Sequence, residues 1–186
     1  MRFWLVLLFL ALAPGFAAAQ FKIEILQRRP LAEAARDGNI PELRAQLAAN
    51  VSPNQLDLEY RPAIANAAAN GHTEAVRILL EAKANPDTRD RTNRTALMWA
   101  AERGHTAIVR LLVDARANVN IDERGTGQTA TMIAAREGHL QTVEILVKAG
   151  ADLARTDVTG RTAFAHAEAA NRRQVVDFLR RNNAPR

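Results

Sequence analysis

Apolar residues occur in this chain in two patterns. From Phe3 to Ala13 they run without a break, and Pro14 and Gly15 then interrupt the run. Beyond residue 30 they recur at i, i+3 and i+4, as at Val76, Leu79 and Leu80, the spacing that puts apolar side chains on one face of an α-helix. Such stretches return as Val76-Arg77-Ile78-Leu79-Leu80, Val109-Arg110-Leu111-Leu112-Val113, Val143-Glu144-Ile145-Leu146-Val147 and Val176-Asp177-Phe178-Leu179-Arg180. Ahead of the first three stand Gly71-His72, Gly104-His105 and Gly138-His139, at steps of 33 and 34 residues. Ala67-Ala68, Ala100-Ala101 and Ala134-Ala135 keep the same phase. A fixed period of this length marks a stacked array of supersecondary units.

Each unit predicts two helices. The first starts at Thr95, Thr129 or Thr162, whose hydroxyl caps it, and is alanine-rich where neighbouring units approach. Glycine ends it by accepting a left-handed backbone. The second starts near Thr73 or Thr106 and carries the apolar stripe. It stops before turn residues such as Asn85-Pro86-Asp87 and Asn118-Val119-Asn120. One unit cannot bury its stripe alone, so the array folds as a whole.

The run Arg94-Thr95-Ala96-Leu97-Met98-Trp99-Ala100-Ala101-Glu102-Arg103-Gly104-His105, followed by Ile108-Val109-Arg110-Leu111-Leu112 and Asn118-Val119-Asn120, resembles the ankyrin repeat. The resemblance extends over residues 30–186. It implies an all-α solenoid of stacked helix-turn-helix units with hairpin-like turns, here in five units: 30–60, 61–92, 93–126, 127–159 and 160–186. Residues 20–29, with Phe21, Ile23, Ile25 and Leu26, are expected to cap the N-terminal end. Arg172, Arg173, Arg180 and Arg181 are expected to keep the C-terminal face in water. The family's Thr-Pro-Leu-His is replaced by Thr95-Ala96-Leu97-Met98, Thr129-Ala130-Thr131-Met132 and Thr162-Ala163-Phe164-Ala165. That removes the helix-starting proline and a histidine hydrogen-bond network. One extra residue between Asp122 and Thr129 predicts a longer or bulged tip there.

Residues 1–19 have the layout of a secretory leader: Arg2, the apolar run, then Ala17-Ala18-Ala19 as a cleavage site. Cleavage after Ala19 would leave Gln20 first. The run is too short to span a bilayer well, so no membrane anchor is expected after cleavage. The style resembles a Gram-negative leader, and the expected location is the periplasm, or outside the cell. The absence of cysteine excludes disulfides, thiolate metal sites and a lipid-anchor cysteine.

Alanine, about a fifth of the chain, fills the space that scarce aromatics leave. The net charge is +5, and only Lys22, Lys83 and Lys148 are lysines. Acids lie between the arginines throughout, so no nucleic-acid partner is expected. His72, His105 and His139 sit at equivalent positions of units stacked about 8–10 Å apart. They cannot share one ion at metal-bond lengths of about 2 Å. They are expected to cap and pack at the start of each second helix, and His166 to lie at the surface or between units. Ser52 is the sole serine and lacks flanking glycines. Gly125-Thr126-Gly127 lacks the Gly-Lys pair of a phosphate loop. No catalytic, cofactor-binding or metal-binding residue is expected, and the chain is read as no enzyme.

The ankyrin resemblance implies a concave groove built from hairpin tips and first helices, with more arginines than acids. The partner-binding residues expected there are Arg61, Arg91, Arg94, Arg103, Arg124, Gln128, Arg136 and Arg161. Arg91, Arg94, Arg103, Arg124 and Arg136 are all expected to be exposed. Trp99 has two readings, a ring partly buried between helices or an aromatic anchor in the groove, and Ile133 at the equivalent position favours the first. An arginine-rich groove suits a protein partner with an acidic patch. The chain is expected to be monomeric alone and to stabilise or scaffold a periplasmic enzyme. The alternatives are an immunity protein that blocks an exported toxin and a structural component of an envelope assembly.

Overall fold

A computed structural model describes residues 30–182, 184 and 185. The expected leader and the N-terminal capping segment lie outside the described residues. Among the described residues there are ten helices. They are α1 (Pro30–Asp37), α2 (Ile40–Ala48), α3 (Ala63–Ala69), α4 (Thr73–Glu81), α5 (Ala96–Arg103), α6 (Thr106–Asp114), α7 (Ala130–Glu137), α8 (Leu140–Lys148), α9 (Ala163–Ala169) and α10 (Arg173–Arg181). The only β-type pairings among these residues are the isolated bridges Leu56–Pro62 and Asp122–Thr129. None of the helices is long and apolar enough to cross a membrane.

The odd-numbered helices stack in one row and the even-numbered ones in a second row, with each consecutive pair also in contact. Alanine makes the first row possible. Ala67, Ala68, Ala100, Ala101, Ala134 and Ala135 are all fully buried, and their single methyl groups let short helices approach closely. The larger volume comes from the stripes, with Leu79, Ile108, Leu112 and Leu146 sealed between the rows.

Local chemistry sets the helix ends as the pattern predicts. Thr95, Thr129 and Thr162 accept hydrogen bonds from the backbone N–H groups of Met98, Met132 and Ala165, at 3.4, 3.4 and 3.2 Å. Gly104 and Gly138 close α5 and α7 in the left-handed region, at φ 69° and 86°.

The histidines do not cap. No side-chain capping bond forms at His72, His105 or His139. His72 Nε2–H instead donates to the Arg36 carbonyl at 3.0 Å, and His139 Nε2–H to the Glu102 carbonyl at 3.1 Å. Each bond ties a second helix to the exposed end of the preceding unit's first helix, where carbonyls lack helical partners. In the last unit Arg172 takes this place and donates to the Arg136 carbonyl at 2.8 Å. That is a further role for a side chain expected only to keep the C-terminal face in water, although Arg172, Arg173, Arg180 and Arg181 are all exposed.

Candidate interaction surface at the hairpin tips

Four tips join consecutive helix pairs. In the first, second and fourth, an aspartate begins the turn, and its amide donates to the carbonyl four residues on: Asp57 to Arg61, Asp90 to Arg94, and Asp157 to Arg161, at 2.9–3.0 Å. The carboxylate of each aspartate accepts the amides two and four residues on. Its second oxygen reaches a side chain nine residues on, in the following first helix. Asp57 takes the Asn66 amide at 2.8 Å, Asp90 the Trp99 indole N–H at 3.0 Å, and Asp157 the His166 Nε2 at 2.8 Å. Each tip is thereby fastened to the helix that follows it. This aspartate network lies one position beyond the family's missing histidine and crosses each unit boundary, from Asp57, Asp90 and Asp157 near the end of one unit to Asn66, Trp99 and His166 in the next. Its signal was present as the repeated Asp-x-x-x-Arg spacing.

The third tip departs. Glu123 stands where aspartate is expected, and the turn closes one residue later, with Glu123 N–H donating to the Gln128 carbonyl at 2.9 Å. The added residue thus lengthens the tip, as its sequence predicts. Ile133, buried, faces the core where the other helices offer a polar partner. Arg136 of α7 holds this tip through the Gln128 side chain, and neighbouring tips add backbone bonds: Arg124 N–H donates to the Thr92 carbonyl, and the Thr126 carbonyl accepts from Val158.

Trp99 combines both of its expected readings. It is half-buried, its N–H is spent on Asp90, and the Arg61 and Arg94 guanidiniums lie 4.5 and 3.8 Å from its ring centroid. The ring lines an open cavity of about 360 Å³ with Glu59, Arg61, Arg91, Arg94 and Glu123. His166 is buried rather than at the surface, and it lies between units as the second reading has it, against Asp157 of the preceding unit. Burial pushes the Asp157 carboxyl upward. Hydrogen bonds from Thr159, Arg161 and His166 outweigh that and hold it well below the ordinary carboxylate range.

The expected partner-binding residues divide into two sets. Arg91, Arg103, Arg124 and Arg161 are exposed, whereas Arg61, Gln128 and Arg136 are half-buried. Arg94, expected to be exposed, has a side chain only 12% exposed and lies in a charge ladder. It meets Glu102 at 3.1 Å and Glu123 at 3.7 Å, and Arg136 meets Glu102 at 3.9 Å, Glu137 at 2.9 Å and Gln128 at 2.9 Å. The carboxylates come from α5, α7 and the third tip, which the fold brings together. Arg94 and Arg136 therefore hold tips to helices, while the exposed set faces solvent.

A family model described as ankyrin repeats (3 copies) matches residues 31–123 and 116–185. The chain belongs to the ankyrin-repeat family. No curated protein sequence matches it. Ankyrin repeats are general protein–protein interaction modules. Among its described residues no cluster of histidine, aspartate and glutamate has the geometry to hold a metal ion. Among the described residues, large apolar side chains stand exposed on two tips, Leu58 and Tyr60 on the first and Val158 on the fourth.

Proposed function

We propose that this ankyrin array is an exported, non-catalytic binding module of the periplasm, which grips a protein partner along its tips and first helices and stabilises or scaffolds a periplasmic enzyme. The observation that carries the reading is the run of exposed arginines along that surface, Arg91, Arg124 and Arg161 on the tips and Arg103 at the end of α5. Exposed guanidiniums on a fixed frame can bridge a partner's carboxylates with little ordering of the binding surface. Export rests on the leader-like layout of residues 1–19.

Both parts have direct tests. The intact mass of the protein in a periplasmic fraction is expected to begin at Gln20, and a mass that includes residues 1–19 refutes cleavage. A photo-crosslinking residue at Arg103 or Arg124 is expected to trap a discrete partner in periplasmic extract. The same residue at Arg77 or Arg110, on the second helices α4 and α6, is expected to trap none. Stronger trapping at Arg77 and Arg110 would place the binding face on the other side of the array.

A further inference from the structure

The first tip departs from the others in a way that folding does not explain. The fourth residue of the aspartate turn adopts positive φ in three tips: 63° at Tyr60, 69° at Asn93 and 78° at Gly160. Glycine and asparagine suit that conformation, while a bulky ring is strained in it. Tyr60 gains no burial in return, since it is 59% exposed beside Leu58 at 68%. Strain kept at an exposed position, without compensating packing, points to use of the side chain.

Around Tyr60 the cations and carboxylates are unequally engaged. Arg91 of the second tip lies over the Tyr60 ring at 5.5 Å. Arg61 lies over Trp99, and its Nε is sealed from solvent with no hydrogen-bond acceptor. Among the described residues neither Arg61 nor Arg91 has a carboxylate within ion-pair distance, whereas Arg94 beside them has two. The nearby carboxylates are otherwise placed: Asp90 holds its own turn and the Trp99 indole, Glu123 pairs with Arg94 and Thr126, and the Glu59 carboxylate contacts no cation.

We infer that the first and second tips dock an acidic segment of the partner protein. This inference rests on the protein-binding reading above. A carboxylate of that segment is received by Arg61 and Arg91 beside Trp99, and a neighbouring apolar side chain lies on Tyr60 and Leu58. Aromatic and arginine side chains grouped around a partly desolvated cavity are the composition in which binding energy concentrates.

The test uses three probes on the full chain: short capped peptides with glutamate next to leucine or phenylalanine, the same peptides with glutamine for glutamate, and inorganic phosphate. The readout is the indole N–H resonance of Trp99. The glutamate peptides are expected to shift it saturably and the glutamine peptides to leave it in place. Arg61→Gln is expected to weaken binding about tenfold, and Arg110→Gln, on the second-helix side, to change it less than about twofold. Tyr60→Asn is expected to raise the melting temperature and to weaken binding together, a combination that a merely structural tyrosine would not give. Binding by the glutamine peptides, an equal response to phosphate, no response to any peptide, or full affinity in a stabilised Tyr60→Asn overturns the proposal. If crosslinking at Arg103 and Arg124 still traps a partner in that case, the interaction surface stands and this docking site alone falls.

Discussion

The bond that joins one unit to the next can be tested at a single glycine. Gly104 sits at φ 69°, and a Cβ added there would lie 2.6 Å from Cε1 and 2.7 Å from Nδ1 of His139. Gly104→Ala therefore imposes two costs. An L-residue in the left-handed region costs about 1–2 kcal/mol. The methyl also displaces the imidazole, which gives up its 3.1 Å bond to the Glu102 carbonyl, worth about 0.5–1.5 kcal/mol. The expected loss is about 2–3 kcal/mol by urea titration at unchanged m-value. His139→Ala alone loses only the bond, about 1 kcal/mol. In the double variant the ring is gone before the methyl arrives, so the loss should fall about 0.5–1.5 kcal/mol short of the sum of the two. Gly138→Ala is expected to cost less than Gly104→Ala, because its Cβ meets the flexible Cδ of Arg172 at 2.7 Å rather than a rigid ring. The last unit supplies an internal comparison. Asn171 occupies the equivalent place in the fifth unit at φ 55°. If Gly104→Ala costs under about 0.5 kcal/mol, or the double variant is additive, the inter-unit account of this glycine is wrong.

Two further outcomes follow from the charge network. Arg94→Ala is expected to destabilise the array by about 1–2 kcal/mol, through loss of the ladder and of packing on Trp99, while Arg103→Ala stays within about 0.5 kcal/mol; thermal melts of the two variants decide it. Because the Asp157 carboxyl is depressed in the folded state, its contribution is complete above the ordinary aspartate range near pH 4 and fades as pH falls toward the folded value. Urea midpoints are therefore expected to drop between pH 5 and pH 3, and to drop less steeply in Asp157→Asn; equal slopes would show that this carboxylate does not drive the loss.

The parts of this fold that could be read from the sequence are those governed by rules acting within a few residues. Threonine caps, glycine ends, the apolar stripes and the extra residue of the third tip all have causes inside one unit. The readings that failed have causes beyond that local reach. His72 and His139 look like caps because each precedes a helix, yet their acceptors belong to the preceding unit. Arg94 looks exposed because it sits on a turn, yet Glu102 of α5 and Glu123 of the next tip enclose it. His166, expected at the surface or between units, lies buried between units. Its partner Asp157 lies only nine residues away, and the recurrence of aspartate at Asp57 and Asp90 marked the tie in advance.

That tie also explains where this array is distinctive. A turn-opening aspartate satisfies its own loop with one oxygen and asks only for a donor from the helix with the other. Asparagine, tryptophan and histidine all supply an N–H there, so the identity of the donor is free to vary while the tip stays fastened. At Asn66 and His166 the donor is buried, and the choice affects folding alone. At Trp99 the donor is larger than the space beneath it, so the ring reaches the surface with its N–H already engaged, and Arg61 and Arg94 settle over it. The third tip has no such aspartate tie; Arg136 fastens it through Gln128, and backbone bonds join it to its neighbours. Recognition by this array is therefore expected to centre on the first and second tips. There a structural hydrogen bond holds an aromatic surface in place, and the cations beside it have unequal access to carboxylates of their own.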